Sequence, residues 1–337
     1  MSQGAPSSLL RPLGWGYHLL MRVRASLYAS GLRRRHRLPA PCVSVGNLTF
    51  GGTGKTPFTA HLARTLRDMG HRPAILTRGY GRTSRGPLAA HPDASPLDAG
   101  DEAVLLARAL PDVPVLVGEK REQAAGLAPD SVDVFLLDDG FQHLRVHRDL
   151  DLLLIDAGRP GDLKPPPAGR LREPLDACRR ADLLVLTKGS LDALPPALAL
   201  HWSGRPRIAA AFEWGRIVFP DSEHPPEALR GDPVVAFAGT AHPDAFFRQA
   251  EAAGLVLKAV HPLEDHARPS PEDVRRVRSD VERTGARAVL CTEKDAVKWL
   301  PGWKGPVPLA YPRISVRIED PSGTLGRSLA ALFEEAP

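Results

Sequence analysis

The chain has 337 residues, 43% hydrophobic and 25% charged, with a formal net charge of +5 and only three cysteines. That length and apolar content suit two domains with sizeable cores, and 30 glycines with 34 prolines stay below the level of a low-complexity chain. Cys42, Cys178 and Cys291 are odd in number and far apart, which argues against a disulfide framework and a CxxC metal site and for a reducing compartment. No run approaches ~18 apolar residues, and the N-terminus lacks the apolar core and cleavage site of a secretion signal. The expectation is a protein kept inside the cell that does not span a membrane.

Charge is unevenly placed along the chain. Residues 1–67 hold ten Lys/Arg and no acid, the first being Asp68. A nucleic-acid coat calls for basic residues interleaved with stacking aromatics over a wide surface, and 6% aromatic content argues against it. At 100° per residue, Leu9, Leu10, Leu13, Tyr17, Leu20, Met21, Val23, Leu27 and Tyr28 fall on one broad face, with Arg11, His18 and Arg22 opposite. Arg24 interrupts that face, where a long side chain can snorkel, and Arg33, Arg34, Arg35, His36 and Arg37 follow. Residues 1–37 are therefore predicted to be a basic amphipathic helix. Either it lies in the plane of an anionic membrane, or it packs on its own domain with its arginines solvated.

From residue 42, short β-branched runs alternate with helical patterns, the signature of an α/β fold with a parallel sheet. Strands are predicted at 42–45, 73–77, 113–117, 132–137, 150–155 and 183–186, and helices at 56–69, 102–110 and 120–127. A smaller set follows, with strands at 234–237, 255–260 and 288–291 and helices at 244–253 and 271–284. With Gly51-Gly52-Thr53-Gly54-Lys55-Thr56 following the first strand, the predicted fold is a P-loop NTPase-type parallel sheet with flanking helices (38–205, with 320–337 returning to it) and a second, smaller α/β lobe (220–305). Extended stretches at 206–219 and 306–319 would pair as a two-stranded linker, giving a hinged two-lobe shape.

Val45-Gly46-Asn47-Leu48-Thr49-Phe50-Gly51-Gly52-Thr53-Gly54-Lys55-Thr56 follows a strand and opens a helix, where a Gly-rich loop cradles phosphates. Thr49 to Thr56 is the candidate nucleotide loop: Thr49, Phe50, Gly51, Gly52, Thr53 and Gly54 supply backbone, Lys55 reaches the β- and γ-phosphates, and the Thr56 hydroxyl ligates magnesium. Thr49 replaces the first glycine of GxxxxGK[ST], and a plain glycine-rich turn is the alternative. The apolar strand ending in Asp138 and Asp139 suits a neighbouring position, with Asp138 near Thr56 as a metal carboxylate and Asp139 turned elsewhere by strand alternation. The tail Gly140-Phe141-Gln142-His143 adds polar groups near the γ-phosphate. A capped strand end with solvated acids is the alternative here.

These residues, with Arg78-Gly-Tyr-Gly-Arg82, Gly100-Asp-Glu102, Gly169-Arg-Leu-Arg-Glu-Pro174, Phe237-Ala-Gly239, Asp265-His266 and Thr292-Glu-Lys-Asp295, resemble in order the tetraacyldisaccharide 4′-kinase family, the lipid A 4′-kinases of Gram-negative bacteria. The resemblance covers most of the chain. It implies transfer of the γ-phosphoryl of ATP, with magnesium, to the 4′-hydroxyl of tetraacyldisaccharide 1-phosphate, giving lipid IVA. It further implies a peripheral place on the cytosolic face of the inner membrane through the N-terminal helix, with no nucleic acid and no obligate protein partner. Asp101 matches the family's base and His266 its partner from the smaller lobe. Asp139 is carried as a second metal candidate, and Glu173, Arg78, Tyr80 and Gln142 as substrate contacts. For Glu173 the plainer alternative is a surface-loop ion pair with Arg170 or Arg172. A GTPase or metallochaperone of the same loop class is the competing function. It is disfavoured because Thr187-Lys188-Gly189-Ser190 lacks the aspartate of [NT]KxD and Thr292-Glu-Lys-Asp295 has an extra residue before its lysine. A non-catalytic ATP-dependent membrane scaffold is the third reading, and it would need no proton acceptor.

Overall fold

Continuous apolar runs bounded by glycine, proline and aspartate make buried strands, and 3.6-period apolar spacing makes the helices that cover them. The computed structural model describes residues 11–240, 242–264 and 268–334, apart from the side chains of residues 11–13 and 15. In chain order the elements are α1 (Arg11–Ala29), β1 (Cys42–Asn47), α2 (Lys55–Asp68), β2 (Pro73–Thr77), β3 (Leu88–Ala90), α3 (Pro96–Ala99), α4 (Asp101–Ala109), β4 (Val115–Val117), α5 (Arg121–Ala125), β5 (Val134–Asp138), β6 (Leu150–Asp156) and β7 (Leu183–Thr187). There follow α6 (Pro196–Trp202), β8 (Arg207–Val218), β9 (Glu223–His224), β10 (Pro233–Ala238), α7 (Pro243–Ala252), β11 (Val256–Pro262), α8 (Pro271–Thr284), β12 (Ala288–Leu290), α9 (Glu293–Trp299), β13 (Leu309–Glu319) and α10 (Thr324–Ala330).

Hydrogen bonding runs through one order, β11-β10-β12-β13-β8-β7-β6-β1-β5-β2-β4-β3, with β9 paired to β8. β1 is central, parallel to β5 on one side and β6 on the other, with Val45 beside Asp138. Parallel neighbours place their carboxyl ends on one edge, where ligands of open α/β sheets bind. β1, β5 and β6 are buried almost throughout, so both faces need cover. One face packs with α2, α4 and α10 through Phe58, Leu62, Val104, Leu325 and Leu329. The other packs through Leu48, Phe141, Leu184 and Trp202.

β8 and β13 form a long antiparallel ladder from Tyr311 opposite Val218 to Glu319 opposite Ala209. Beyond it, β10, β11 and β12 are parallel and carry two apolar clusters of their own, one around Phe246 and Phe247, the other around Phe237 and Trp299. The sheet is thus continuous through the ladder. The short antiparallel edge strand β3 was not predicted, and within the returning segment 320–337 the helix is α10 alone, residues 335–337 lying outside the described ones.

The N-terminal helix departs from its predicted orientation. Leu9 and Leu10 lie outside the described residues. Tyr17, His18, Met21, Arg24, Ala25, Leu27 and Tyr28 are the half-buried residues, whereas Leu19, Leu20 and Val23 are 63%, 60% and 50% exposed. The apolar residues therefore divide between two sides of the helix. His18, predicted on the polar side, is partly covered, and Arg22 pairs with Asp176 at 3.0 Å. A helical wheel finds apolar residues but not which of them the domain claims.

Candidate active site

The loop after β1 enters α2 through Gly54, whose φ of 85° is left-handed and whose absent Cβ leaves room for the Phe212 ring. Asn47 Nδ2 donates to Thr53 Oγ1 at 3.0 Å and to the Gly51 carbonyl at 3.5 Å, fastening the loop from within. The first N–H groups of a 14-residue helix then open toward the carboxyl edge of the sheet, where an anion is favoured. Lys55 and Thr56 are its first two residues.

Register brings the acidic strand end to this helix. Asp138 is buried, accepting from Thr56 Oγ1 (3.3 Å) through one oxygen and from Thr59 Oγ1 (3.1 Å) through the other. Burial, and then the charge of Asp139, push its carboxyl up to about 6. Asp139, with a left-handed φ of 53°, turns the other way. It lies 3.5 Å from Lys55 Nζ, and Arg172 Nη1 donates to both its oxygens at 2.9 Å. Burial opposes ionisation there, but Lys55 and Arg172 outweigh it and hold the carboxyl below its ordinary value. Burial lowers the Lys55 ammonium, against the pull of Asp139.

The 169–174 segment runs beside the loop. Phe50 N–H donates to the Arg170 carbonyl at 2.8 Å and Arg172 N–H to the Leu48 carbonyl at 2.7 Å. This places the Arg172 guanidinium 5.3 Å from the Phe50 ring centroid and within 3.3 Å of Gln142 Oε1. Gln142 is a spacer in this network, donating through Nε2 to the Asn47 carbonyl at 3.0 Å and accepting at its own carbonyl from Arg24 of α1 at 3.1 Å. Glu173 is 3% exposed, so the alternative of a surface-loop ion pair does not hold. Its partner is Arg180, bidentate at 2.8 and 3.0 Å and stacked 4.5 Å from the Phe141 ring centroid, rather than Arg170 or Arg172.

Arg121, at the start of α5, was missed by motif reading although it lies just past β4 on the same edge. It is buried, donates to the Gly118 and Glu119 carbonyls at 3.1 and 3.3 Å, and feels the charges of Asp138 and Asp139. Burial lowers its guanidinium to about 10, against those two carboxylates. His143 is half-buried, 3.9 Å from Glu122, and desolvation followed by the charge of Arg121 lowers it to about 3, which keeps it neutral.

Arg78 and Tyr80 follow β2 with exposed side chains. The glycine between them touches Gly100: a Cβ on Gly100 would lie 2.8 Å from the Gly79 Cα, so the two motifs meet where neither tolerates a side chain. Asp101 then opens α4, and Glu102 is close enough to add to the field at Asp138. Across from α4, Lys298 of α9 lies 4.0 Å from Asp101 Oδ2. His266, with Asp265, lies outside the described residues. Among the described residues no group of three or more His, Cys, Asp or Glu could hold a metal by itself, and no helix is long and apolar enough to cross a membrane.

A family model described as tetraacyldisaccharide-1-P 4′-kinase matches residues 6–332. The chain is 42% identical over 303 residues to the tetraacyldisaccharide 4′-kinase of Pelobacter propionicus, covering 87% of this chain and 83% of that one. It is 43% identical over 291 residues to that of Geobacter sulfurreducens, covering 84% and 81%. Among solved structures it is similar to the "apo" form of LpxK from Aquifex aeolicus in complex with ATP, with a TM-score of 0.79 and 32% identity over 97% of this chain and 99% of that one.

Proposed function

Because the chain belongs to the tetraacyldisaccharide-1-P 4′-kinase family, we propose that it transfers the γ-phosphoryl group of ATP to the 4′-hydroxyl of a tetraacyldisaccharide 1-phosphate, the reaction that yields lipid IVA. The observation that carries this reading is the meeting of Lys55, Thr56, Asp138 and Asp139 at the mouth of one helix. The relatives named above are tetraacyldisaccharide 4′-kinases, and the similar solved structure was determined with ATP.

Phosphoryl transfer asks a protein for alignment, charge neutralisation and removal of one proton. Lys55 and the α2 N–H groups would hold the triphosphate, with Asp139 keeping the lysine in place until phosphate oxygens take its charge. Arg172 and Arg121 bring two further positive charges to the same edge. A hydroxyl beside a buried carboxylate is the donor set of a magnesium bound partly by phosphate and water, so Thr56 and Asp138 fit that ion. Magnesium, when bound, supplies neutralisation of charge on the phosphates. Asp139, already occupied by two cations, suits it less well. In this reading Asp101 accepts the acceptor hydroxyl's proton, with His266 as its partner, and Arg78, Tyr80, Gln142 and Glu173 serve or support the sugar phosphate.

The lobes are read as hinged at the β8–β13 ladder, and closure would exclude water from the transfer. The outward row Leu19, Leu20 and Val23, followed by Arg33, Arg34 and Arg35, suits an in-plane helix on anionic lipid and hence a peripheral membrane enzyme. The test is incubation of the purified protein with radiolabelled ATP, magnesium and the acylated disaccharide. Label on the disaccharide supports the kinase; label confined to free phosphate makes this a nucleotide hydrolase.

A further inference from the structure

One buried charge has no role in the scheme above. The Lys298 side chain on α9 is 4% exposed, and its Nζ lies 3.4 Å from Asp295 Oδ1 and 4.0 Å from Asp101 Oδ2. An ammonium removed from water costs several kcal/mol unless counter-charges meet it. Here one carboxylate comes from its own helix and the other from α4, on the far side of the β8–β13 ladder in the chain. Asp295 is an anchor for that charge. It is fully buried, and its Oδ2 accepts from the Gly239 N–H at 2.8 Å and the Thr292 hydroxyl at 2.6 Å, which turns Oδ1 toward the lysine. A Cβ on Gly239 would lie 2.8 Å from that Oδ1 and 3.1 Å from the Glu264 carbonyl. The end of β10, Asp295 and the residue before Asp265-His266 are thus packed together. Among the described residues the Nζ makes no hydrogen bond, so charge at ion-pair distance is what holds it.

We propose that Lys298 is a positioning residue for phosphoryl transfer: its ammonium, anchored by Asp295 on α9, is the counter-charge that sets the Asp101 carboxylate across the α4–α9 contact and makes lobe closure and alignment of that carboxylate one event. The proposal rests on the reading of Asp101 as the proton acceptor. A lysine that only filled space would act on stability, whereas a positioning lysine acts on turnover through one other residue.

Lys298→Met and Lys298→Gln are compared in the full chain, each alone and combined with Asp101→Asn, by kcat and KM for ATP and the acylated disaccharide and by melting temperature. Each single variant is expected to lose about 10- to 100-fold in kcat, as for a misplaced reacting group. The KM for ATP should stay within about twofold, because the phosphate loop is untouched. In the Asp101→Asn background the further loss should be under about threefold, since no carboxylate remains to be set. Equal losses in both backgrounds, an unchanged kcat in the single variants, or failure of both variants to fold would each overturn the proposal. If Asp101→Asn alone turns over at the parent rate, the proton-acceptor reading itself fails, and the proposal falls with it for that separate reason.

Discussion

Two aspartates separated in space by one helix mouth do different work because their surroundings differ. Asp101 opens α4, and loss of this proposed proton acceptor should leave the phosphate loop untouched. Asp101→Ala is expected to lower turnover by about 10²- to 10⁴-fold while ATP binding by calorimetry stays near the parent's; an unchanged rate would remove it from the mechanism. Asp138 is held protonated by burial up to about pH 6, against 3.8 for an unperturbed aspartate. The folded state therefore binds this proton more tightly than the unfolded chain. The stabilisation is complete below 3.8 and is lost as pH rises through about 6. Asp138→Asn abolishes the ionisation, so the melting temperature of the ligand-free variant relative to the parent should climb as pH rises from 3.8 through about 6 and level off above it. A gap that stays constant with pH would sink this account. Lys55, Thr56 and Asp138 were legible because loop and acidic strand end announce themselves locally and the parallel register joins them. The arginines were not. Nothing in Gly169-Arg-Leu-Arg-Glu-Pro174 says that Arg172 reaches back to Asp139 while Glu173 turns inward to Arg180, because the choice depends on how the segment pairs with Leu48 and Phe50.

At the scale of elements, the central strands were legible because a strand buried on both faces is written as an unbroken apolar run, as in Leu183–Thr187. β3 was not, since three residues at a sheet edge carry too little pattern to stand out from a loop. α1 shows a different limit. Its apolar residues were visible, but the half that docks, through Tyr17, Met21 and Tyr28, could be separated from the outward half only by the partner surface. The outward half carries the prediction. Leu20→Gln with Val23→Gln replaces exposed side chains, so the melting temperature should stay within a degree or two of the parent. Sedimentation with anionic vesicles should fall several-fold, through lost apolar burial of about 0.8 kcal/mol per CH₂. Deletion of residues 1–30 should lower it further. Equal partition of parent and double variant would leave α1 a purely structural helix.

At the scale of the whole molecule, the two sets of strands share more than the β8–β13 ladder. α9 follows β12 in sequence, yet its Val297 is buried in the cluster that contains Phe58, Leu62 and Val104 of the nucleotide-loop portion. On the same helix Glu293 is half-buried, and desolvation raises its carboxyl even though the Ile314 N–H and Arg313 act against the rise. A helix from one portion keyed into the core of the other is a latch, and its grip is mostly apolar. Val297→Ser removes that apolar grip and leaves a buried hydroxyl, a change worth about 1–3 kcal/mol. The clusters around Phe246 and Trp299 do not contain Val297, so the loss falls on the core that α9 shares with the nucleotide-loop portion rather than on the smaller set's own packing. The expected outcome is a larger radius of gyration in solution scattering and a higher ratio of ATP hydrolysis to sugar phosphorylation, because water reaches a cleft that no longer closes fully. ATP affinity should change little, since Val297 makes none of the hydrogen bonds or ion pairs that fix Lys55, Thr56 and Asn47. If both the radius and the ratio match the parent, the ladder alone sets the closure and α9 is only a passenger on it.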